Sequence, residues 1–311
     1  MKTLGTAQTP PEQALEAAIH GLPEWRGKAA SYAPVSGGIS NTNWRVHIAG
    51  APCDYFVKIP GTGTEMFIRR DTAHDASLKA AATGYGVPVV GYLPEQGVEI
   101  FEFIEGWRPA SNRDFLERDV RLGAARGLKA FNSQGSLIQT KTVFDMIDEH
   151  YRQVRELGAS TPPDHDWLTL QYQRARQALE ASGLDLVPCM NDTLAGNFML
   201  NQAGDIRLVD FEYASNNDRH YELALWFGEM FFPEALELEV IEDYFGAVRP
   251  RDVARIKLHK ALADLKWSTW AMVQRAVSSL EFDYYKYGFW KHMRARSVMR
   301  NSQWESWLRQ V

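Results

Sequence analysis

The sequence predicts an α+β protein with two lobes, a small antiparallel β lobe over residues 1–104 and a larger, mainly helical lobe over residues 105–311. Five short segments rich in β-branched and aromatic residues lie in the first lobe, and one helical pattern separates the third from the fourth. Helical periodicity dominates the rest of the chain, where one hairpin interrupts it. We expect a ligand cleft between the lobes, because small-molecule sites favour such junctions.

The elements of the small lobe are predicted from alternating hydrophobicity and from the turn residues between segments. The first ten residues are expected to form a frayed tail, and residues 12–20 a short helix. The predicted strands run from residue 32 to the loop at 36–41, and then over residues 43–48, 55–59, 89–93 and 98–104. The helix after the third strand is expected to run from about residue 68 to residue 82, with Leu78, Ala81 and Ala82 on its apolar side.

The hairpin of the larger lobe carries the most informative residues. Its predicted strands are residues 198–200 and 206–209, joined by a Gly-containing turn. Asn197 precedes the first strand and Asp210 follows the second, while Asp192 lies one short loop earlier. Because an antiparallel hairpin brings its two open ends together, we predict that these three side chains converge.

Such a convergence would supply the groups that phosphoryl transfer needs. One carboxylate, Asp192, would orient an acceptor hydroxyl, while Asn197 and Asp210 would hold Mg²⁺ beside the phosphates. The alternative is that Asn and Asp only mark turns, as they often do. The spacing of Asp192 and Asn197 is a weak signal by itself, so the catalytic interpretation depends on the hairpin that follows.

Composition argues against several other classes of protein. A formal net charge of −5 gives no electrostatic reason to expect nucleic acid or an anionic membrane as partner. No run approaches the roughly 18 apolar residues of a membrane span, and the first residues lack the apolar core of a signal peptide, so we expect no membrane insertion. Cys53 and Cys189 show no metal-ligand spacing and fit a reducing, cytoplasmic compartment. The sequence contains neither a zinc motif nor a Walker A motif.

Two features of the small lobe are candidates for holding nucleotide phosphates. The loop at 36–41 contains Gly37, Gly38, Ser40 and Asn41, and its backbone N–H groups could approach phosphates. Lys58 lies in the middle of a strand after this loop, where a kinase needs a cation for the phosphates that are not transferred. The simpler interpretations are an ordinary hairpin turn and a solvent-facing lysine. The order of both features relative to Asp192 favours phosphate binding.

A family resemblance rests on two motifs, Asn191-Asp192-Thr193-Leu194-Ala195-Gly196-Asn197 and Leu208-Val209-Asp210-Phe211-Glu212-Tyr213. Both resemble the choline/ethanolamine kinase family, within the wider aminoglycoside-phosphotransferase group. The likeness runs over about residues 35–296 and includes the segments 35–41, 59–65, 68–70, 102–106, 267–274 and 281–287. The last two segments are the most specific, since generic phosphotransferases lack them. The resemblance implies a protein-kinase-like bilobal fold, ATP and Mg²⁺ as cofactors, and adenine at the backbone around Phe103.

The same resemblance implies a pocket for the ammonium group of a substrate. Its members would be Glu229 and the aromatic residues Trp267, Trp270, Phe282, Tyr284 and Tyr287. A quaternary ammonium cannot donate an N–H hydrogen bond, so its site must use aromatic faces and a nearby carboxylate. Trp267 and Trp270 lie at i and i+3, on one face of a helix. Without the resemblance, such an aromatic stripe is more typical of a hydrophobic core.

Three departures from the family pattern affect groups that support the site. They are Met190 in place of a His that braces the catalytic loop, Ala73 and His74 where a Glu partner of the strand lysine is expected, and Asn132 in place of another His. The acids nearest to the missing Glu are Asp71 and Asp75, which are shorter. A non-catalytic, nucleotide-binding protein of the same fold is therefore one alternative.

The sequence thus predicts an ATP- and Mg²⁺-dependent kinase that phosphorylates the hydroxyl of choline or of a related amino alcohol such as ethanolamine. Another amine-bearing alcohol, an aminoglycoside or thiamine, is the alternative substrate for the same fold. Aminoglycosides carry several cations and would favour an acidic cleft over an aromatic one.

Overall fold

A computed structural model describes residues 1–37, 41–61, 68–278 and 280–311 of the protein. Its first part is a six-stranded antiparallel sheet with the strand order β1-β2-β3-β4-β6-β5. The strands are β1 (Lys2–Thr3), β2 (Ala30–Val35), β3 (Asn41–Ile48), β4 (Tyr55–Pro60), β5 (Val89–Leu93) and β6 (Val98–Glu102). Helix α1 (Pro10–Gly21) packs Leu15 and Ile19 into the apolar core of this sheet.

The start of the chain differs from the sequence prediction. The expectations of a frayed tail and of five strands were wrong, because Lys2 pairs with Tyr32 and Thr3 with Ser31 to add β1 to the sheet. The ammonium of Lys2 also bonds the carboxylate of Glu12, and Glu16 accepts the backbone N–H groups of Gly5, Thr6 and Ala7 at 2.9–3.1 Å. A strand of two residues is too short to show alternation, and side chains of α1 hold it in place.

Helix α2 (Arg70–Ala82) lies where the sequence places it, but its buried face is different. Ala73, Ala76 and Ala80 are buried, whereas Leu78 is 47% exposed, so the predicted apolar side was wrong. Ala76 and Ala80 pack into the core of the helical lobe. Small side chains let the helix approach that core closely. The alanine face is therefore buried, although Leu78 on another face is larger and more apolar.

The larger lobe is built from eight further helices in the described ranges. They are α3 (Arg118–Asn132), α4 (Val143–Glu156), α5 (His165–Ala181), α6 (Arg219–Met230), α7 (Glu234–Phe245), α8 (Pro250–Val277), α9 (Tyr284–Met299) and α10 (Trp304–Gln310). Two apolar clusters form its core, one around α3, α6 and α7 and the other around α4, α8 and α9. Helix α6 is buried almost throughout and joins the two clusters.

Short strands interrupt the helices at more places than the predicted hairpin. That hairpin is present as β9 (Phe198–Leu200) and β10 (Ile206–Leu208), and β7 (Arg108–Pro109) pairs with β9. The expectation of a single interruption was wrong, because β8 (Leu186–Cys189) pairs with β11 (Ser215–Asp218). The buried amides of Asn216 and Asn217 bond Leu137 O and Asn191 Oδ1 at 3.0 and 2.9 Å, so polar contacts rather than an apolar alternation fix β11.

The predicted fold class, a small antiparallel lobe followed by a mainly helical lobe, is confirmed. The last strand of the sheet ends at Glu102, two residues before the predicted domain boundary, which itself stays a prediction. No helix within the described residues is both long and apolar enough to span a bilayer.

Candidate active site

The hairpin β9–β10 brings Asn197 and Asp210 together as the sequence predicts. Phe198 pairs with Leu208 at its open end, and Val209 donates its backbone N–H to Asn197 O at 3.0 Å. Asp210 follows at φ +67°, in the left-handed region that a side-chain-bearing residue rarely adopts. Such backbone strain is found where surrounding structure fixes a functional side chain.

The loop that carries Asp192 is held by an acid that the sequence did not single out. Glu222, fully buried on α6, accepts the backbone N–H groups of Met190 at 2.6 Å and Asn191 at 3.0 Å. Asn191 has φ +59°, and its amide donates to Tyr213 O at 2.9 Å. Glu222 thus fixes the backbone of the loop through two hydrogen bonds. The side chain of Met190 makes no such bond to the described residues. No sequence signal distinguishes Glu222 from an exposed acid, because α6 also carries Glu229.

Asp192 and Asn197 are in direct contact. The amide nitrogen of Asn197 donates to Asp192 O at 2.7 Å and approaches Asp192 Oδ2 at 3.3 Å. Burial, together with the charge of Asp210, raises the pKa of Asp192 to about 7. A carboxyl group with a pKa near neutrality is well suited to accept a proton from an alcohol.

Lys58 is buried and paired, so the alternative of a solvent-facing lysine was wrong. Its ammonium lies 2.5 Å from Asp210 Oδ1 and 3.5 Å from Glu212 Oε1. Burial acts to lower the pKa of Lys58, but the charges of Asp210, Glu212 and Glu99 outweigh it and raise this pKa above its ordinary value. Lys58 therefore remains a cation in the cleft.

Neither acid of α2 replaces the missing glutamate partner of Lys58. Asp71 pairs with Arg69 at 2.6 Å, and Asp75 pairs with Lys79 at 2.6 Å. Glu212 instead links the two lobes. Its Oε1 accepts from Asn41 at 2.7 Å and from Arg70 at 2.5 Å, both residues of the small lobe. The sequence motif contained Glu212, but its function as a connecting acid could not be predicted from spacing alone.

A cleft of about 440 Å³ lies between the sheet and the hairpin. It is lined by Gly37, Asn41, Lys58, Phe103, Asn197 and Asp210, all predicted site residues. Gly37 has φ +119°, a backbone conformation that favours glycine. The predicted residues Gly38 and Ser40 lie outside the described residues. Apolar walls come from Phe56, Phe101, Met199, Val209 and Phe211, which the sequence did not assign.

The backbone at the predicted adenine position is partly occupied. Phe103 donates its N–H to Asp54 O at 2.9 Å, and the Arg45 guanidinium lies 4.3 Å from the centre of the Phe103 ring. Adenine would therefore have to use other backbone groups of this segment. The placement of adenine beside Phe103 stays a prediction.

The aromatic residues of α8 and α9 form a cluster around Trp270. Its ring centre lies 5.3 Å from that of Trp267, 5.7 Å from Tyr284 and 6.1 Å from Tyr287. The ring of Tyr213, a residue to which the sequence assigned no role, lies edge-on to that of Trp267, with 5.5 Å between the ring centres. We call Tyr213, Trp267, Trp270 and Tyr287 the aromatic box. Trp267 and Trp270 are 6% and 9% exposed, so they are core residues as well as walls.

Phe282 and Tyr284 lie at the outer side of this box. Phe282 is 43% exposed and contacts the rings of Tyr284 and Tyr287 at 4.9 and 5.9 Å. Tyr284 is buried and shares a 3.0 Å hydrogen bond with Ser278. Substrate contact by these two residues stays a prediction, and the position of Tyr284 is that of a supporting residue.

Glu229 lies on α6 beside the aromatic box and already has a cationic partner. Its Oε1 bonds the ammonium of Lys291, a fully buried residue of α9. Lys291 also lies 3.6 Å from Asp264, whose other oxygen is 3.1 Å from Arg294. These cations were not recognised in the sequence, because they are distant along the chain and α9 shows no simple apolar pattern.

The oxygen atoms of Asn197 and Asp210 fit a magnesium ion that arrives with a nucleotide. Asn197 uses its amide nitrogen on Asp192, which leaves its carbonyl oxygen for a cation, and the Asp210 side chain is 33% exposed to the cleft. The described residues contain no group of three or more His, Cys, Asp or Glu side chains arranged for a metal. Mg²⁺ commonly needs only one or two protein ligands when phosphates supply the others.

Comparisons with known proteins identify a family and similar folds. A model of the choline/ethanolamine kinase family matches residues 32–238. A probable ethanolamine kinase from Arabidopsis thaliana is 26% identical over 291 residues, covering 83% of this chain and 76% of the relative. A choline/ethanolamine kinase family protein from Mesorhizobium loti superposes with a TM-score of 0.83 at 24% identity, covering 96% and 98% of the two chains. For a choline kinase from Streptococcus pneumoniae, the TM-score is 0.78 at 22% identity, with 94% and 99% covered.

Proposed function

The chain belongs to the choline/ethanolamine kinase family, and on this basis we propose that it transfers the γ-phosphoryl group of ATP to the hydroxyl of choline or of a close amino alcohol such as ethanolamine. The observation that carries this proposal is the position of the aromatic box beside the catalytic carboxylate. The ammonium of Lys291 bonds Glu229 and lies 5.6 Å from the centre of the Tyr287 ring, so this acid lies beside the box. Burial raises the pKa of Tyr287, and the charges of Glu229 and Asp192 raise it further. A short molecule with an ammonium at one end and a hydroxyl at the other could contact both.

Asp192 would act on the hydroxyl end of the substrate. The hydroxyl oxygen attacks the γ-phosphorus, a new O–P bond forms, and the bond from phosphorus to the β–γ bridging oxygen breaks to release ADP. The hydroxyl proton passes to the carboxylate of Asp192, which the amide of Asn197 orients. Glu222 would act as a positioning residue, because it fixes the backbone on which Asp192 stands.

The nucleotide would lie in the 440 Å³ cleft. Lys58 and the loop that begins at Gly37 would hold the phosphates, and the apolar walls around Phe103 would receive adenine. Mg²⁺ held by Asn197 and Asp210 would neutralise charge on the phosphate oxygens. The ammonium of Lys58 lies 2.5 Å from Asp210 Oδ1, which supports a role for this cation beside the phosphates.

The ammonium end of the substrate would lie against the box. Trp270 is in ring contact with two other members of the box, so its face is fixed by packing. A desolvated cation over such a face gains about 2 kcal/mol. Glu229 would add a carboxylate, although it shares its charge with Lys291. We further propose a cytoplasmic location, where ATP is available and where the free thiols of Cys53 and Cys189 stay reduced.

The proposal is tested by ADP release from the purified protein with ATP and Mg²⁺. Choline, ethanolamine, thiamine and an aminoglycoside are compared, with Asp192→Asn as the control for background hydrolysis. We expect choline or ethanolamine to give the highest kcat/KM. A higher kcat/KM for the aminoglycoside or for thiamine would identify that compound, and not an amino alcohol, as the substrate. Nucleotide binding without turnover on any alcohol would favour the non-catalytic alternative.

A further inference from the structure

Lys266 places a buried cation against the aromatic box. It lies on α8, directly before Trp267, and is 2% exposed. Its Nζ lies 3.1 Å from the centre of the Trp267 ring and 4.9 Å from the centre of the Tyr213 ring. Over the described ranges of the chain, this nitrogen has no hydrogen-bond partner. The two ring faces are therefore the contacts that stabilise its charge.

The titratable groups that face Lys266 come from every element packed against it. They are Lys141 before α4, His150 on α4, Asp192 on the catalytic loop, Tyr213 after β10, Glu229 on α6 and Lys291 on α9. Arg69 and Glu212 line one small cavity together with Lys266, and both are paired, Arg69 with Asp71 and Glu212 with Lys58 and Arg70. Lys141 is paired with Glu149. Burial lowers the pKa of Lys266 to about 7, although Asp192 opposes this effect. Burial, together with the charges of Lys266 and Lys141, lowers the pKa of His150 to about 3, so His150 stays neutral.

The acids near the box are already occupied by cations of the protein. Glu229 bonds Lys291, and Asp264 lies 3.1 Å from Arg294. Asp192 is then the carboxylate whose charge most strongly favours the ammonium form of Lys266. A substrate ammonium that enters the box would add one positive charge to groups that are already balanced. In a site of low dielectric, such an excess charge is costly.

We propose that Lys266 controls the affinity of the aromatic box for a cationic substrate. The ammonium of Lys266 competes with the ammonium of the substrate for the faces of Trp267 and Tyr213. A cationic substrate therefore binds with release of the Lys266 proton to solvent. This inference rests on the proposed function, since it takes the substrate to be a cationic amino alcohol. With an effective dielectric constant near 20, two unit charges about 8 Å apart repel enough to weaken binding on the order of thirtyfold. Choline affinity should therefore rise as pH increases through neutrality.

The test compares choline binding in three proteins by calorimetry, in the absence of ATP. Lys266→Met keeps an unbranched side chain without charge, and Lys266→Arg keeps a charge that does not titrate. Each protein is measured between about pH 6 and about pH 9, which spans neutral and charged lysine at this site. The uncharged isostere of choline, in which carbon replaces the quaternary nitrogen, is the matched ligand. Melting temperature and ADP affinity report whether each variant is folded.

A crossover in affinity is the expected result. Wild-type protein should bind choline as weakly as Lys266→Arg near pH 6 and as tightly as Lys266→Met near pH 9, with a difference on the order of thirtyfold between the two limits. Calorimetry near pH 7 in buffers of different ionisation enthalpy should detect more proton release by the wild-type protein than by either variant, because only the wild type can lose a proton from Lys266 as well as from Asp192. The uncharged isostere should show no crossover. Because Asp192 is present in all three proteins, its own titration does not produce this pattern.

The proposal would be overturned if the choline affinities of the three proteins kept the same ratio at every pH, or if the uncharged isostere showed the same crossover. Either result would mean that Lys266 is a packing residue. Proton release by the wild-type protein needs no variant, so its absence would overturn the proposal even if both substitutions unfold the chain. Failure of the proposed function has a different signature. If the crossover occurs but no amino alcohol is phosphorylated, the substrate assignment fails and the role of Lys266 stands. If no quaternary ammonium binds to any of the three proteins, both fail.

Discussion

Replacing Trp270 by leucine separates a cation site from a hydrophobic core. The side chain is 9% exposed and its ring lies 5.3–6.1 Å from three other aromatic rings, so it contributes to packing whatever else it does. Leucine retains apolar volume but has no π face. We expect the variant to lose affinity for a quaternary ammonium more than it loses affinity for nucleotide.

The magnitude follows from two separate contributions. A desolvated cation–π contact is worth about 2 kcal/mol, so the Kd for choline should rise on the order of thirtyfold. Loss of packing acts on the free energy of unfolding instead. Truncation of a buried tryptophan to alanine costs roughly 3–5 kcal/mol, and leucine should reduce that cost. Ethanolamine should lose less affinity than choline, because its ammonium retains three N–H donors for Glu229.

The assay measures the Kd values of choline, ethanolamine and ADP and the melting temperature of each protein. Trp304→Leu is the matched control, since Trp304 is 3% exposed in the same apolar cluster but donates its ring N–H to Gln171 at 2.9 Å. Both variants should melt at lower temperature. Only Trp270→Leu should lose more affinity for choline than for ADP. Equal losses for all three ligands in Trp270→Leu, with the same pattern in Trp304→Leu, would refute the proposal that the aromatic box binds a cation.

Three further substitutions test other groups of the site. Asp210→Ala should abolish the increase in nucleotide affinity that Mg²⁺ provides, because Asn197 would be the only other proposed ligand, and calorimetry with and without Mg²⁺ measures it. Lys58→Met should raise the KM for ATP or lower kcat by about tenfold or more, whereas unchanged kinetics would mean that Lys58 serves only as the partner of Asp210. Glu222→Gln should lower kcat on the order of tenfold while the affinity for ADP stays within about twofold, because one of two charge-assisted bonds to the catalytic loop is lost. A parallel loss of both quantities would show that Glu222 supports the whole lobe and not the loop.

The sequence predicts those parts of the fold and site that depend on local pattern. The hairpin β9–β10, the strands β4 and β5, and the convergence of Asn197 with Asp210 follow from alternation and a turn between two short apolar runs. Strand β1 and the ladder of β8 with β11 were not predictable in this way. They depend on contacts with distant residues, such as the bonds of Glu16 to the first residues of the chain.

The charged groups behind the aromatic box show the limit of prediction from spacing. Glu229 and the tryptophans of α8 were identified from a resemblance, but Lys266 and Lys291 were not. Their positions beside rings and acids arise when α6, α8 and α9 pack together, and a buried lysine has no sequence signal that distinguishes it from an exposed one. Glu222 escaped notice for the same reason.

Direct detection of the phosphorylated product tests the central claim most directly. Wild-type protein and Asp192→Asn are incubated with ATP, Mg²⁺ and an equimolar mixture of choline and ethanolamine, and ³¹P NMR follows the phosphomonoester signals. Wild-type protein should form phosphocholine or phosphoethanolamine in step with ADP. Asp192→Asn should form it more slowly by a factor on the order of 10²–10⁴, with ADP affinity retained. ADP without a phosphomonoester, or equal rates in the two proteins, would contradict the account.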